Sequence, residues 1–203
     1  IEIDLSKVTT PYSEEYKKLD PYIDRIKQFD KEGGIVVLNW HWYAPEKYIL
    51  NSADQPWWRG FYAEAASIDL EKIMNGEDAQ GLALLDEDID IIAKALKTLQ
   101  KKKIPVLFRP LHEASGGWFW WGDCSPDSYC KLYCLMYEKF TKEYELDNLI
   151  FAFRGNYRTV SYLVLLSSYA GGLFCAGIMV LCLYLSHRRG TQILYAETGR
   201  GGK

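Results

Sequence analysis

A chain of 203 residues has room for one domain, two at most. With 48% hydrophobic and 25% charged residues, intrinsic disorder is excluded as the default state. A net charge of −3 leaves no general basic surface for nucleic acid or acidic lipid. Seven Trp and fifteen Tyr are many for this length. Most such rings belong in a core, but clustered ones also stack on the apolar faces of sugars. The five cysteines (Cys124, Cys130, Cys134, Cys175 and Cys182) are odd in number, and no CxxC pair suggests zinc.

In chain order, residues 1–5 can form a short strand; with no Met and no basic-then-apolar signal pattern they read as a chain already in mid-domain, either with a signal removed or as a fragment. Residues 13–31 carry apolar positions three and four apart, the mark of a helix, ended by Gly33-Gly34. The continuous apolar run from Ile35 to Trp40 reads as a strand buried on both faces. Residues 43–80 read as a long loop with scattered aromatics, and long loops inside compact domains are usually functional. A helix is expected over about residues 86–102, with Asp86, Glu87 and Asp88 at its start and Lys101 to Lys103 at its end, as the helix dipole favours. Residues 104–108 give the next strand. Ser125-Pro126-Asp127 begins another helix, with Ser as N-cap and Pro in the first turn. Residues 148–153 give a further strand. Strands alternating with helices imply parallel pairing, and long loops after the strands with short ones before them suit a (β/α) barrel with one active face.

The segment with chemical potential is 108–122, Phe-Arg-Pro-Leu-His-Glu-Ala-Ser-Gly-Gly-Trp-Phe-Trp-Trp-Gly. Glu113 falls where a strand ends and a loop begins, flanked by Arg109 and His112 and followed by Trp118, Trp120 and Trp121. A carboxyl beside apolar rings is favoured in its neutral form, which a proton donor to a glycosidic oxygen needs. A buried Arg–Glu pair with aromatic packing stays open as the structural alternative.

The run Arg109-Pro110-Leu111-His112-Glu113 with Gly117-Trp118-Phe119-Trp120-Trp121-Gly122 resembles glycoside hydrolase family 26, and Gly33 to Trp42 resembles that family's preceding active-site strand. The resemblance covers residues 1 to about 155. It implies an α/β fold, the (β/α)8 TIM barrel of the retaining glycosidase clan, incomplete in this chain because such barrels typically need ~250 residues. It implies endo-acting, retaining hydrolysis of β-1,4-mannan. Glucanase or xylanase activity of the same family, or a non-catalytic carbohydrate-binding barrel, are the alternatives. Carried over by position, Glu113 becomes the acid/base. His41, Arg109, His112, Trp118 and Trp121 become substrate-site residues; His41 could instead be a satisfied histidine of a polar core. Ile193 to Gly199 fits the nucleophile strand and makes Glu197 the expected nucleophile, against the alternative of an exposed Glu in a tail. The resemblance implies no metal or organic cofactor, a polysaccharide partner (mannan, galactomannan or glucomannan), a monomer, and a secreted enzyme whose signal peptide is not in this chain.

Residues 156–203 form the second expected unit, an atypical apolar segment with the possible nucleophile strand. Residues 160–186 contain no charged residue and have the length of a membrane span. Such a span would pull apart one active site. The run is therefore read as foreign to the family pattern, with apolar barrel elements or a true span as the other readings. Glu197 is expected to lie farther from Glu113 than retaining geometry allows, leaving the isolated chain inactive or nearly so.

Overall fold

The computed structural model describes residues 1–6, 20–111, 113–157 and 160–167. The parallel part of the sheet is built from β1 (Glu2–Asp4), β2 (Val36–Trp40), β3 (Val106–Pro110) and β4 (Leu149–Tyr157), in that order. The helices are α1 (Asp20–Lys31), α2 (Leu70–Met74), α3 (Ala79–Gln100) and α4 (Pro126–Glu138), the last continued by a π-helical turn at Lys139–Glu143. This is the α/β alternation of part of a (β/α) barrel.

Register fixes which side chains share a face. Ile3, Val36, Leu38, Trp40, Val106, Phe108, Leu149 and Phe151 are buried on one side of the sheet, in one core with Ile26 of α1, Ile89, Ile92 and Leu96 of α3, and Leu132, Tyr133 and Met136 of α4. The other parity brings Glu2, Val37 and Leu107 into one row and Asp4, Asn39 and Arg109 into the next, one step closer to the C-terminal strand ends. A polar layer therefore sits where the strands run out, the position at which barrels build their sites.

Two expectations are corrected. Helix α3 begins at Ala79, because Asp78 caps it by accepting the Gly81 N–H at 2.8 Å. Asp86 and Asp88 are consequently mid-helix and serve tertiary partners: Asp86 pairs with the buried Lys139, and Asp88 accepts the Trp42 indole N–H at 2.7 Å. The second correction concerns parallel pairing, from which the strand after β4 departs. A fifth strand, β5 (Val160–Ser167), pairs with β4 antiparallel, Tyr157 opposite Val160. Two intervening residues cannot hold the crossover that a parallel strand requires. No helix among the described residues is long and apolar enough to cross a membrane; residues 168–186 of the apolar run lie outside them.

The helix expected at Ser125 forms as read. The Ser125 side chain accepts the Ser128 N–H at 3.2 Å, and Pro126 occupies the first turn.

Candidate active site

Strand β3 ends at Pro110, and the chain then turns sharply. Leu111 and Glu113 both take positive φ, 50° and 57°. Left-handed backbone costs a non-glycine residue about 1–2 kcal/mol, and such outliers concentrate where a side chain must be aimed. Helix α4 supports the turn: the Tyr129 hydroxyl donates to the Leu111 carbonyl at 3.2 Å. Beyond it, the Gly116 N–H donates to the Glu113 carbonyl at 3.0 Å. Glu113 itself is half-buried at the C-terminal side of the sheet.

Trp118 follows with 40% of its surface exposed. Its ring lies against Gly116: a Cβ there would sit 2.2 Å from Trp118 Cη2, so only glycine leaves the ring its seat. Gly122 closes the same loop, since a Cβ on it would meet the Ala114 carbonyl oxygen at 2.2 Å. The loop after β2 is joined to this one through the backbone. Ala63 N–H donates to Trp118 O at 2.9 Å, and Trp120 N–H to Phe61 O at 3.3 Å.

His41, the first residue beyond β2, sits between Phe61 and Phe119, with ring centroids at 5.8 and 5.7 Å. Asp4 holds it: the two side chains meet at 2.5 Å, Nδ1 to Oδ2, and the His41 backbone N–H donates to Oδ1 at 3.2 Å. Burial pushes the Asp4 carboxyl up, but the hydrogen bond and charge of His41, with the backbone N–H groups of Ser6 and His41, outweigh it and leave the carboxyl below its ordinary value. Burial first and the Asp4 charge second push the Tyr43 phenol up, so it stays a neutral donor. Arg109 donates to Glu2 at 3.1 Å, and Asn39 donates to the same Glu2 oxygen. The carboxylate that Arg109 engages at the strand ends is thus Glu2.

The expected site residues His41, Arg109, Glu113 and Trp118 all come to the C-terminal ends of β2 and β3. Trp121 does not join them. It is fully buried, stacked on Phe119 at 4.5 Å and edge-on to Trp120, which makes it a core residue rather than a sugar contact. His112 and Glu197 lie outside the described residues. Asp4 and Glu2 were not anticipated. Their signal in the sequence is an alternating Glu-Ile-Asp at the end of a strand, with both acids on one face.

The family model of glycosyl hydrolase family 26 matches residues 7–179, most of the chain and both site strands β2 and β3. The chain belongs to glycosyl hydrolase family 26. A mannan endo-1,4-beta-mannosidase of Thermothelomyces thermophilus is 44% identical over 120 residues, covering 59% of this chain and 25% of the relative. The crystal structure of the Podospora anserina GH26-CBM35 β-(1,4)-mannanase matches with a TM-score of 0.68 and 37% identity, over 75% of this chain and 34% of that one. A β-mannanase from a symbiotic protist of the termite Reticulitermes speratus, solved with gluco-manno-oligosaccharide, matches with a TM-score of 0.64 and 31% identity, over 75% of this chain and 46% of that one. The chain therefore spans a quarter of the first relative's length and less than half of either structure.

Proposed function

We propose that this family 26 chain carries the acid/base half of an endo-acting β-1,4-mannan hydrolase that retains anomeric configuration. The observation that carries the reading is the placement of Glu113: half-buried on a left-handed turn at the end of β3, in the loop that also carries the exposed Trp118 seated on Gly116. Relatives named as mannan endo-1,4-β-mannosidases, 44% and 33% identical, support mannan as the polymer.

In the first step a carboxylate nucleophile attacks the anomeric carbon and the glycosidic C–O bond breaks. Glu113 gives its proton to the departing oxygen. In the second step Glu113, now ionised, takes a proton from water as that water attacks the same carbon and frees the nucleophile. We assign the nucleophile to Glu197 by its place in the Ala-Glu-Thr-Gly run. Trp118 offers its face to a sugar ring, His41 a hydrogen bond to a hydroxyl, and Arg109, tied to Glu2, keeps the strand ends in place. His112 is assigned the role of orienting the nucleophile. Since a polymer of this size is met outside the cell, the parent enzyme is proposed to be secreted and to act as a monomer.

The test joins this chain to the remainder of the barrel from the Thermothelomyces thermophilus relative and measures reducing-sugar release from mannan, mixed-linkage glucan and xylan. Release from mannan, lost in Glu113→Gln, is expected. Release from glucan or xylan in its place overturns the substrate, and undiminished release by Glu113→Gln overturns the acid/base role.

A further inference from the structure

Asp4 and His41 are 37 residues apart and meet because β1 and β2 pair in parallel, with Asp4 beside Asn39. The two carboxylate oxygens have different work. Oδ1 accepts two backbone N–H groups, from Ser6 at 2.9 Å and from His41 at 3.2 Å. Oδ2 faces the His41 ring at Nδ1, 2.5 Å away. An ionised carboxylate can only accept, and the low-lying carboxyl of Asp4 keeps it ionised. The proton between the two residues therefore belongs to Nδ1. A neutral imidazole carries one ring proton, so the lone pair is then on Nε2.

We propose that Asp4 is a positioning residue for His41: it fixes the ring in the Nδ1-protonated tautomer and makes Nε2 a hydrogen-bond acceptor in the candidate site. Phe61 and Phe119 hold the plane of the ring, and Asp4 decides which of its edges accepts. A hydroxyl that meets Nε2 must then donate its own hydrogen. That this hydroxyl belongs to a mannosyl unit rests on the proposed function; the tautomer does not.

The geometry also says what an isosteric change does. In Asp4→Asn the amide has one oxygen and one NH2 group. Two backbone N–H donors converge on the Oδ1 position, so the oxygen goes there. The NH2 group is left facing Nδ1, which must become the acceptor. The ring proton moves to Nε2, and the site gains a donor where it had an acceptor.

The experiment is long-range 1H–15N NMR of the imidazole rings of the full chain, which has only three histidines, with His41 assigned by loss of its signals in His41→Gln. In alkaline buffer, where imidazole is neutral, wild type is expected to show a pyrrole-type Nδ1 and a pyridine-type Nε2. Asp4→Asn is expected to exchange the two. Titration with mannohexaose should perturb the Nε2 signal of wild type, and Asp4→Asn should bind it roughly tenfold more weakly, the scale of one mismatched hydrogen bond. A pyrrole-type Nε2 in wild type overturns the proposal, a measurement that needs no variant to fold. An unchanged pattern in a folded Asp4→Asn overturns it as well. The expected tautomers with no response to mannohexaose support the role of Asp4 and count instead against mannan as the ligand.

Discussion

The Trp120 indole N–H donates to the carbonyl oxygen of Trp42 at 2.7 Å, and this buried bond ties the segment after Glu113 to the segment after His41. Trp42 is held in turn by Asp88 on α3 and is stacked on Trp40 at 4.2 Å. The two halves of the candidate site are thus referenced to one helix. Trp120→Phe keeps an aromatic ring, though a smaller one, and leaves the Trp42 carbonyl buried without its donor. Loss of ~1–3 kcal/mol of stability is expected, the desolvation cost of an unsatisfied buried acceptor. Urea unfolding measures it; a variant as stable as wild type would show that this bond holds nothing.

Trp118 and Trp121 are three residues apart and should respond in opposite ways. Trp118 is 40% exposed, whereas Trp121 is fully buried. Trp118→Ala is expected to change stability little and to weaken manno-oligosaccharide binding. Trp121→Ala is expected to cost ~3–5 kcal/mol, the usual scale for deleting a large buried aromatic. Thermal unfolding and calorimetric titration together separate the two. A destabilised Trp118→Ala would place that ring in the core and remove it from the sugar platform.

These two residues mark how far the sequence could be read. It showed three Trp in one run, but nothing in their spacing said which would face outward, because the loop that carries them is shaped by the flanking Gly116, Gly117 and Gly122 and not by a regular period. Strand β2 was legible as a largely apolar run interrupted by Asn39, and the cap at Ser125 as local chemistry. The start of α3 was misread because Asp86 and Asp88 resemble a first-turn acidic cluster, while their real partners, Lys139 and Trp42, are 53 and 46 residues away. Asp4 was missed for the same reason: its meaning depends on a pairing register that no local pattern encodes.

Glu71 gives a pH test of how the loops are anchored. Its carboxylate accepts the Ser125 backbone N–H at 2.5 Å and the Ser128 hydroxyl at 3.2 Å, joining α2 to the start of α4. The Ser125 N–H is the main cause that holds its pKa below the ordinary value. A folded pKa below the unfolded one means stability that is present above the unfolded value, about 4.3, and is lost as pH falls through the folded value. The urea midpoint should therefore drop on acidification below about pH 5. Glu71→Gln should flatten part of that drop, leaving the share owed to Asp4, Asp24, Asp69, Asp78 and Asp90, whose carboxyls are also lowered. An identical acid slope in the variant would remove Glu71 from the account.

Glu113 can be distinguished from a structural carboxylate by varying the leaving group. If it donates the proton in the first step, that proton matters most when the leaving group is a sugar hydroxyl, a poor leaving group without it. An aryl mannoside with an acidic phenol leaves without help. In the completed barrel, Glu113→Gln should therefore lose about 10²–10⁴-fold in kcat on mannan, the usual contribution of a general acid, and far less in the first step on the aryl substrate. The second step needs Glu113 as a base, so the glycosyl-enzyme should accumulate, seen as a burst of phenol followed by slow turnover. Azide, a nucleophile that needs no deprotonation, should speed that turnover. Equal losses on both substrates, with no burst and no rescue by azide, would mean that Glu113 shapes the turn at the end of β3 and carries no proton.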